Sequence, residues 1–121
     1  MTSQEIVDYL RGALAGAGAI RETGMFGGTA FMLNGNMVAG TFRQGLLVRV
    51  GKDRQPTALS LPGARQMDMN GRPMEGYVHI PCNQLSERTA AASLDLAVSF
   101  VETLPPKPAR AESGRKKAKR K

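Results

Sequence analysis

The chain has 121 residues, a formal net charge of +7 and a 41% share of hydrophobic residues, of which only 5% of the chain is aromatic. That length supports one domain with a single core, filled by Leu, Val, Ala and seven Met rather than by large rings. Apolar runs such as AFML and LLV fall far short of the roughly 18 to 20 residues a membrane-spanning helix needs, which excludes an integral helical membrane protein.

Placement of charge matters more than its sum. Residues 107 to 121 hold eight Lys/Arg against one Glu, whereas residues 1 to 106 hold nine charges of each sign. The division therefore reads as a neutral domain over 1–106 and a Lys/Arg-rich tail over 107–121. With almost no apolar content to offset the entropy of ordering, the tail is expected to be disordered. Acids within MTSQEIVDYLRG, and no basic stretch ahead of an apolar one, argue against a secretory or transit peptide, so the cytoplasm is the expected compartment. The single cysteine, Cys82, can form no internal disulfide and lacks the companions of a zinc site.

In chain order, Thr2 and Glu5 form a capping-box pair ahead of a helix whose face is Ile6, Leu10, Leu14 and Ala17. Gly16 or Gly18 in AGAG is expected to end it. The segments MFGGTAFML, MVAGTF and LLVRV, separated by NGN and RQG, predict a three-stranded antiparallel meander. PTALSL predicts a short helix that admits Pro56 in its first turn and ends by PGA at 62–64. RQMDM and GYVHIP predict a strand pair joined through Asn70, Gly71 and Pro73. Ser86 caps a final helix with Ala90, Leu94, Ala97, Val98, Val101 and Leu104 on one stripe, stopped by Pro105-Pro106.

Candidate chemistry is sparse. His79 is the only histidine, but alternation sends it with Tyr77 to one strand face and Cys82 to the other, which opposes a Cys–His pair. GALAGAG closes a helix instead of opening one after a strand, and GLLVRVGKD has the wrong spacing and an Asp in place of Ser or Thr. Neither cradles a nucleotide phosphate. Asp68 and Glu75 flank the proposed hairpin and serve to solvate it, and Met67 and Met69 fill a core in preference to binding a soft metal. Arg72, between Gly71 and Pro73, is placed either for an ion pair with Glu75 or Asp68 or for a carboxylate or phosphate ligand. No catalytic, cofactor-binding or metal-binding residue is assigned. Arg72, Glu75 and His79 remain as candidate ligand or partner contacts. An enzymatic reading requires His79, Arg72, Asp68 and Glu75 to converge on one cleft. The tail cations Lys107, Arg110, Arg115, Lys116, Lys117, Lys119, Arg120 and Lys121 form an electrostatic footprint for DNA or RNA that ignores sequence.

MFGGTAFMLNGNMVAG at 25–40, PGARQMDMNGRPMEGYVHIP at 62–81 and the closing LPPK at 104–107 together resemble the N-terminal domain of the TfoX/Sxy competence regulators. The resemblance implies an α+β fold of order α-β-β-β-α-β-β-α, an antiparallel sheet packed by N- and C-terminal helices as in type III secretion chaperones, with no established catalytic residues. It also implies action with a transcription factor at competence promoters, although full-length regulators carry a second helical domain where this chain has its basic tail. The expected function is a non-enzymatic regulator or adaptor with a protein partner and weak nucleic-acid attraction. The alternative is a chaperone-like homodimer that shelters a peptide on a sheet face carrying Met25, Met32, Met37, Met67, Met69 and Met74.

Overall fold

A computed structural model describes residues 1–25 and 27–107. Helix α1 (Ser3–Ala13) leads into strands β1 (Ile20–Met25), β2 (Gly28–Leu33), β3 (Asn36–Thr41) and β4 (Gly45–Arg49). Helix α2 (Gln55–Leu59), strands β5 (Arg65–Met69) and β6 (Arg72–Pro81), a 3-10 turn (Cys82–Gln84) and helix α3 (Glu87–Val101) complete the domain. The strands form one antiparallel sheet in the order β1-β2-β3-β4-β6-β5. The α+β class and the flanking helices are as the sequence implied, with one strand more than the expected order.

The additional strand is β1, an edge strand. IRETGM carries little apolar alternation because only Ile20 and Met25 are apolar side chains in it, and none of its six residues is fully buried. The glycines of MFGG, read from the sequence as strand interior, instead divide two strands: Met25 at the end of β1 pairs with Gly28 at the start of β2, and Gly27 adopts φ +79°. The meander therefore has four strands, not three.

The helix ends behave as their sequences dictate. Glu5 N–H donates to Thr2 Oγ1 at 3.0 Å while Thr2 N–H donates to Glu5 Oε1 at 2.8 Å, closing the capping box. Ser86 Oγ accepts from Thr89 N–H at 3.1 Å at the start of α3. Past α1, Gly16 turns the chain at φ +85°. Beyond α3, Pro105-Pro106 run along the β2–β3 hairpin, where Asn36 Nδ2 donates to Pro105 O at 3.0 Å and Lys107 N–H donates to Asn34 O at 2.8 Å. Lys107, grouped with the tail from its charge, is thus fastened to the body through its backbone.

All three helices bury their apolar residues on one side of the sheet. Ile6, Val7 and Leu10 of α1, Ala58 of α2 and Ala90, Leu94, Ala97 and Val101 of α3 share one cluster with Phe31, Leu33, Val48, Val78 and Ile80. The expected stripe of α3 is largely realised, though Val98 and Leu104 lie at its half-buried margin. A second, smaller cluster of Phe42, Leu47 and Met67, with half-buried Met37, Met69, Met74 and Tyr77 around it, contains only strand and turn residues. The structure thus has one helix-covered and one helix-free sheet face.

Phe31 is fully buried at the centre of the larger cluster. Phe31→Ala is expected to cost about 3 to 5 kcal/mol, read as a lowered urea midpoint with an unchanged slope.

Candidate functional site

NGRPMEGYVHIP is first a hairpin. Asn70 and Gly71 both adopt positive φ, +54° and +79°, as the two-residue turn between Met69 and Arg72 requires. Gly76 then bends β6 at φ +87°, and its carbonyl accepts from both Val50 N–H (2.8 Å) and Gly51 N–H (3.1 Å). Gly51 also has positive φ, +84°, and a Cβ there would lie 2.5 Å from the Phe100 ring.

Those contacts frame a cleft of about 610 Å³ at one end of the sheet, between the β4–α2 turn, the bend of β6 and the last turn of α3. Its charged lining is Arg49, Lys52, Arg54, Asp53 and Glu75, and its rings are Tyr77 and Phe100. Lys52 Nζ reaches Glu75 Oε1 at 2.9 Å, and this hydrogen-bonded partner raises the lysine pKa. Arg49 lays its guanidinium 5.6 Å from the Phe100 ring centroid. The Val50 and Gly51 amides already serve the Gly76 carbonyl, so they do not form an anion-binding nest. A smaller hollow of about 370 Å³, lined by Ile20, Met32, Pro106 and Lys107 among others, lies beside the C-terminal strap.

The sequence candidates do not converge. Of His79, Arg72, Asp68 and Glu75, only Glu75 lines the cleft. The ion pair expected of Arg72 with Glu75 or Asp68 is not made, because Glu75 reaches Lys52 and Asp68 pairs across the hairpin with Pro73, one step out of phase with Arg72. Arg72 is exposed and belongs to the helix-free face with its strand partner Met69. No group of three or more His, Cys, Asp or Glu suited to a metal ion occurs among the described residues.

His79 is structural in its contacts. It is 8% exposed, and its Nε2–H donates to the Phe42 carbonyl at 2.7 Å, which fixes the proton on that nitrogen. Gly45 makes room for the ring: a Cβ at that position would sit 2.5 Å from Nε2. Burial is the main cause that lowers the imidazole pKa below its ordinary 6.5; the Phe42 bond opposes this, and the positive charges of Arg65 and Arg43 add to it. Cys82 packs against the opposite, helix-covered cluster with Sγ 3.9 Å from Ser3 Oγ, so the divergence of His79 and Cys82 read from alternation holds.

The described hairpin, glycine bends and paired faces span the region matched by one family model, the TfoX N-terminal domain, which covers residues 12–100. The chain belongs to the TfoX N-terminal domain family. This is a regulatory family linked to competence and not known as catalytic. No curated protein and no solved structure matches the chain.

In this TfoX N-terminal domain, the tail cations Arg110, Arg115, Lys116, Lys117, Lys119, Arg120 and Lys121 lie outside the described residues. No helix among the described residues is long and apolar enough to cross a membrane. Sequence reasoning passed over Arg43 and Arg65, which accompany His79 on the helix-free face. The signal for Arg65 was present in RQMDM, where positions 65, 67 and 69 share the two-residue period of a strand.

Because the folded state disfavours the charged imidazole, the unfolded chain binds the extra proton. Stability contributed by neutral His79 is therefore full above pH 6.5 and lost as pH falls through the interval down to the lowered folded value. Urea midpoints at about pH 7.5 and about pH 5.5 should differ in the natural chain, and the difference should shrink in His79→Gln, which retains an N–H donor but does not titrate.

Proposed function

We propose that this protein is a non-enzymatic cytoplasmic regulator or adaptor: its folded domain binds a protein partner, and its basic tail adds weak, salt-sensitive attraction to DNA or RNA. The observation that carries the reading is the one-sided helix packing. It leaves Phe42, Leu47 and Met67 under a margin of half-buried Met37, Met69, Met74 and Tyr77, with no helix of the described residues across them. Thioethers are flexible and polarizable, so such a margin adapts to apolar side chains of a partner. Family membership supports a regulatory task, and the eight cations in residues 107–121 support the nucleic-acid component.

A second reading uses the same face differently. Of the six methionines assigned to it from the sequence, only Met67 is buried, while Met25, Met32, Met37, Met69 and Met74 keep partial exposure. That exposure favours a surface able to shelter a peptide, as the chaperone-like homodimer requires. Sedimentation separates the readings: a monomer at about 100 µM, well above the micromolar range of specific association, sinks the homodimer and leaves the adaptor.

Truncation after Lys107 keeps its hydrogen bond to Asn34 and removes the other seven tail cations. The full chain should be retained by duplex DNA at low salt, with log affinity falling at a slope of about −5 against log salt if about six cations displace counterions. The truncated chain should lose that retention. Equal retention of both would dispose of the nucleic-acid role.

A further inference from the structure

Successive residues of a strand point to opposite faces, and residues paired directly across two strands share one. Arg65 pairs with His79 and Arg72 with Met69, which places both arginines on the helix-free face. Arg43 joins them from the β3–β4 turn, its guanidinium 5.0 Å from the Phe42 ring centroid. All three are exposed, and they border the cluster of Phe42, Leu47 and Met67.

The carboxylates of the described residues lie elsewhere. Glu5 and Asp8 are on α1, Glu87 and Asp95 on α3, and Glu102 caps the end of α3. Glu22 pairs with the core residue Phe31 and accepts from Arg11 Nε of α1 at 2.7 Å, on the helix-covered side. Asp53 and Glu75 line the end cleft, and Asp68 shares the orientation of Pro73, opposite to Met69. A domain that is neutral in sum is therefore polarised, with arginines and thioethers on one face and no acid of the described residues among them.

We propose that the helix-free face docks an acidic segment of a partner protein, one that carries apolar side chains between its carboxylates. This deepens the adaptor reading and rests on it. Charge complementarity is the argument for the occupant: a planar guanidinium holds a carboxylate through two parallel hydrogen bonds, and no carboxylate of the described residues on this face competes for Arg65 or Arg72. The methionine margin supplies apolar contact between those anchors. Nucleic acid fits the face less well, because bases need open aromatic planes to stack on, and Phe42 is only 9% exposed with Arg43 over its ring.

The test uses the full chain with its methionine methyl groups isotopically labelled, since the tail alone would attract any polyanion and only a site-resolved signal reports the face. The probes are a synthetic peptide alternating Glu with Leu and Phe, its counterpart with Gln for Glu, and a single-stranded oligodeoxynucleotide. The acidic peptide should shift the methyl resonances of Met67, Met69 and Met74 and spare Met1, which packs against the opposite cluster. The Gln peptide, and the acidic peptide on the Arg65→Glu/Arg72→Glu chain, should each bind the face at least about tenfold more weakly. Both arginines are exposed, so the thermal midpoint of that variant should be unchanged. Equal shifts from the Gln peptide would overturn the acidic specificity while leaving the adaptor reading intact. Methyl shifts driven by the oligonucleotide would reassign the face to nucleic acid. Silence of these methyls towards both peptides would remove the face as a docking surface and the adaptor reading with it.

Discussion

Strand alternation against a single helical layer is the constraint on which the structure depends. Leu46, Val48, Val78 and Ile80 enter the helix-covered cluster, and their immediate neighbours Leu47, Tyr77 and His79 are thereby committed to the other face. A one-residue slip between β4 and β6 would exchange the two sets, exposing a fully buried valine or isoleucine at each position and burying a tyrosine hydroxyl and an imidazole under α1 and α3. The register is accordingly strongly specified by burial alone. The composition of the helix-free face is a by-product of that choice, since every residue sent outward is fixed by its neighbour's place in the core.

Turn chemistry supports the same register from outside. Three hairpins reverse through consecutive residues at positive φ: Asn34-Gly35, Arg43-Gln44 and Asn70-Gly71. Two use the Asn-Gly pair that suits such turns, but the middle one places Arg and Gln in the left-handed region, where a side chain costs roughly 1 to 2 kcal/mol per residue. The nearby glycine is not spent on the turn, because Gly45 must lie against the His79 ring. The β3–β4 connection is thus locally strained in favour of tertiary packing, and that strain presents Arg43 over Phe42.

Much of this was legible from residue patterns. Thr2 with Glu5, Ser86, Pro56 and Pro105-Pro106 marked helix ends through local hydrogen bonding and fixed φ, which operate within a few residues and so can be read in isolation. β1 was hidden because IRETGM gives the core only the half-buried Ile20, and the next position on that face is Glu22, which bonds Arg11, so no apolar period of two builds up. The partner of Glu75 could not be read either: it depends on a bend at Gly76 that puts Glu75 within reach of Lys52 and not of Arg72, a long-range event set by the Gly76 carbonyl bonding to residues 50 and 51. The end cleft, built from the β4–α2 turn, β6 and α3, was invisible for the same reason.

Net charge was the most misleading of the sequence quantities. Nine cations and nine anions over residues 1–106 suggest an electrically featureless globule, yet a sum carries no information about direction. Helices α1 and α3 expose acids because their solvent faces are free to do so, while β5 and β6 place arginines beside methionines through a period of two. At physiological ionic strength charges screen one another beyond about 8 Å, so a partner approaching the sheet encounters its arginines largely without the acids behind the core. Cations of the tail share the sign of that face and therefore cannot neutralise it. The proposed acidic segment and the proposed polyanion would thus be met by separate groups of cations, which is the arrangement the adaptor reading requires.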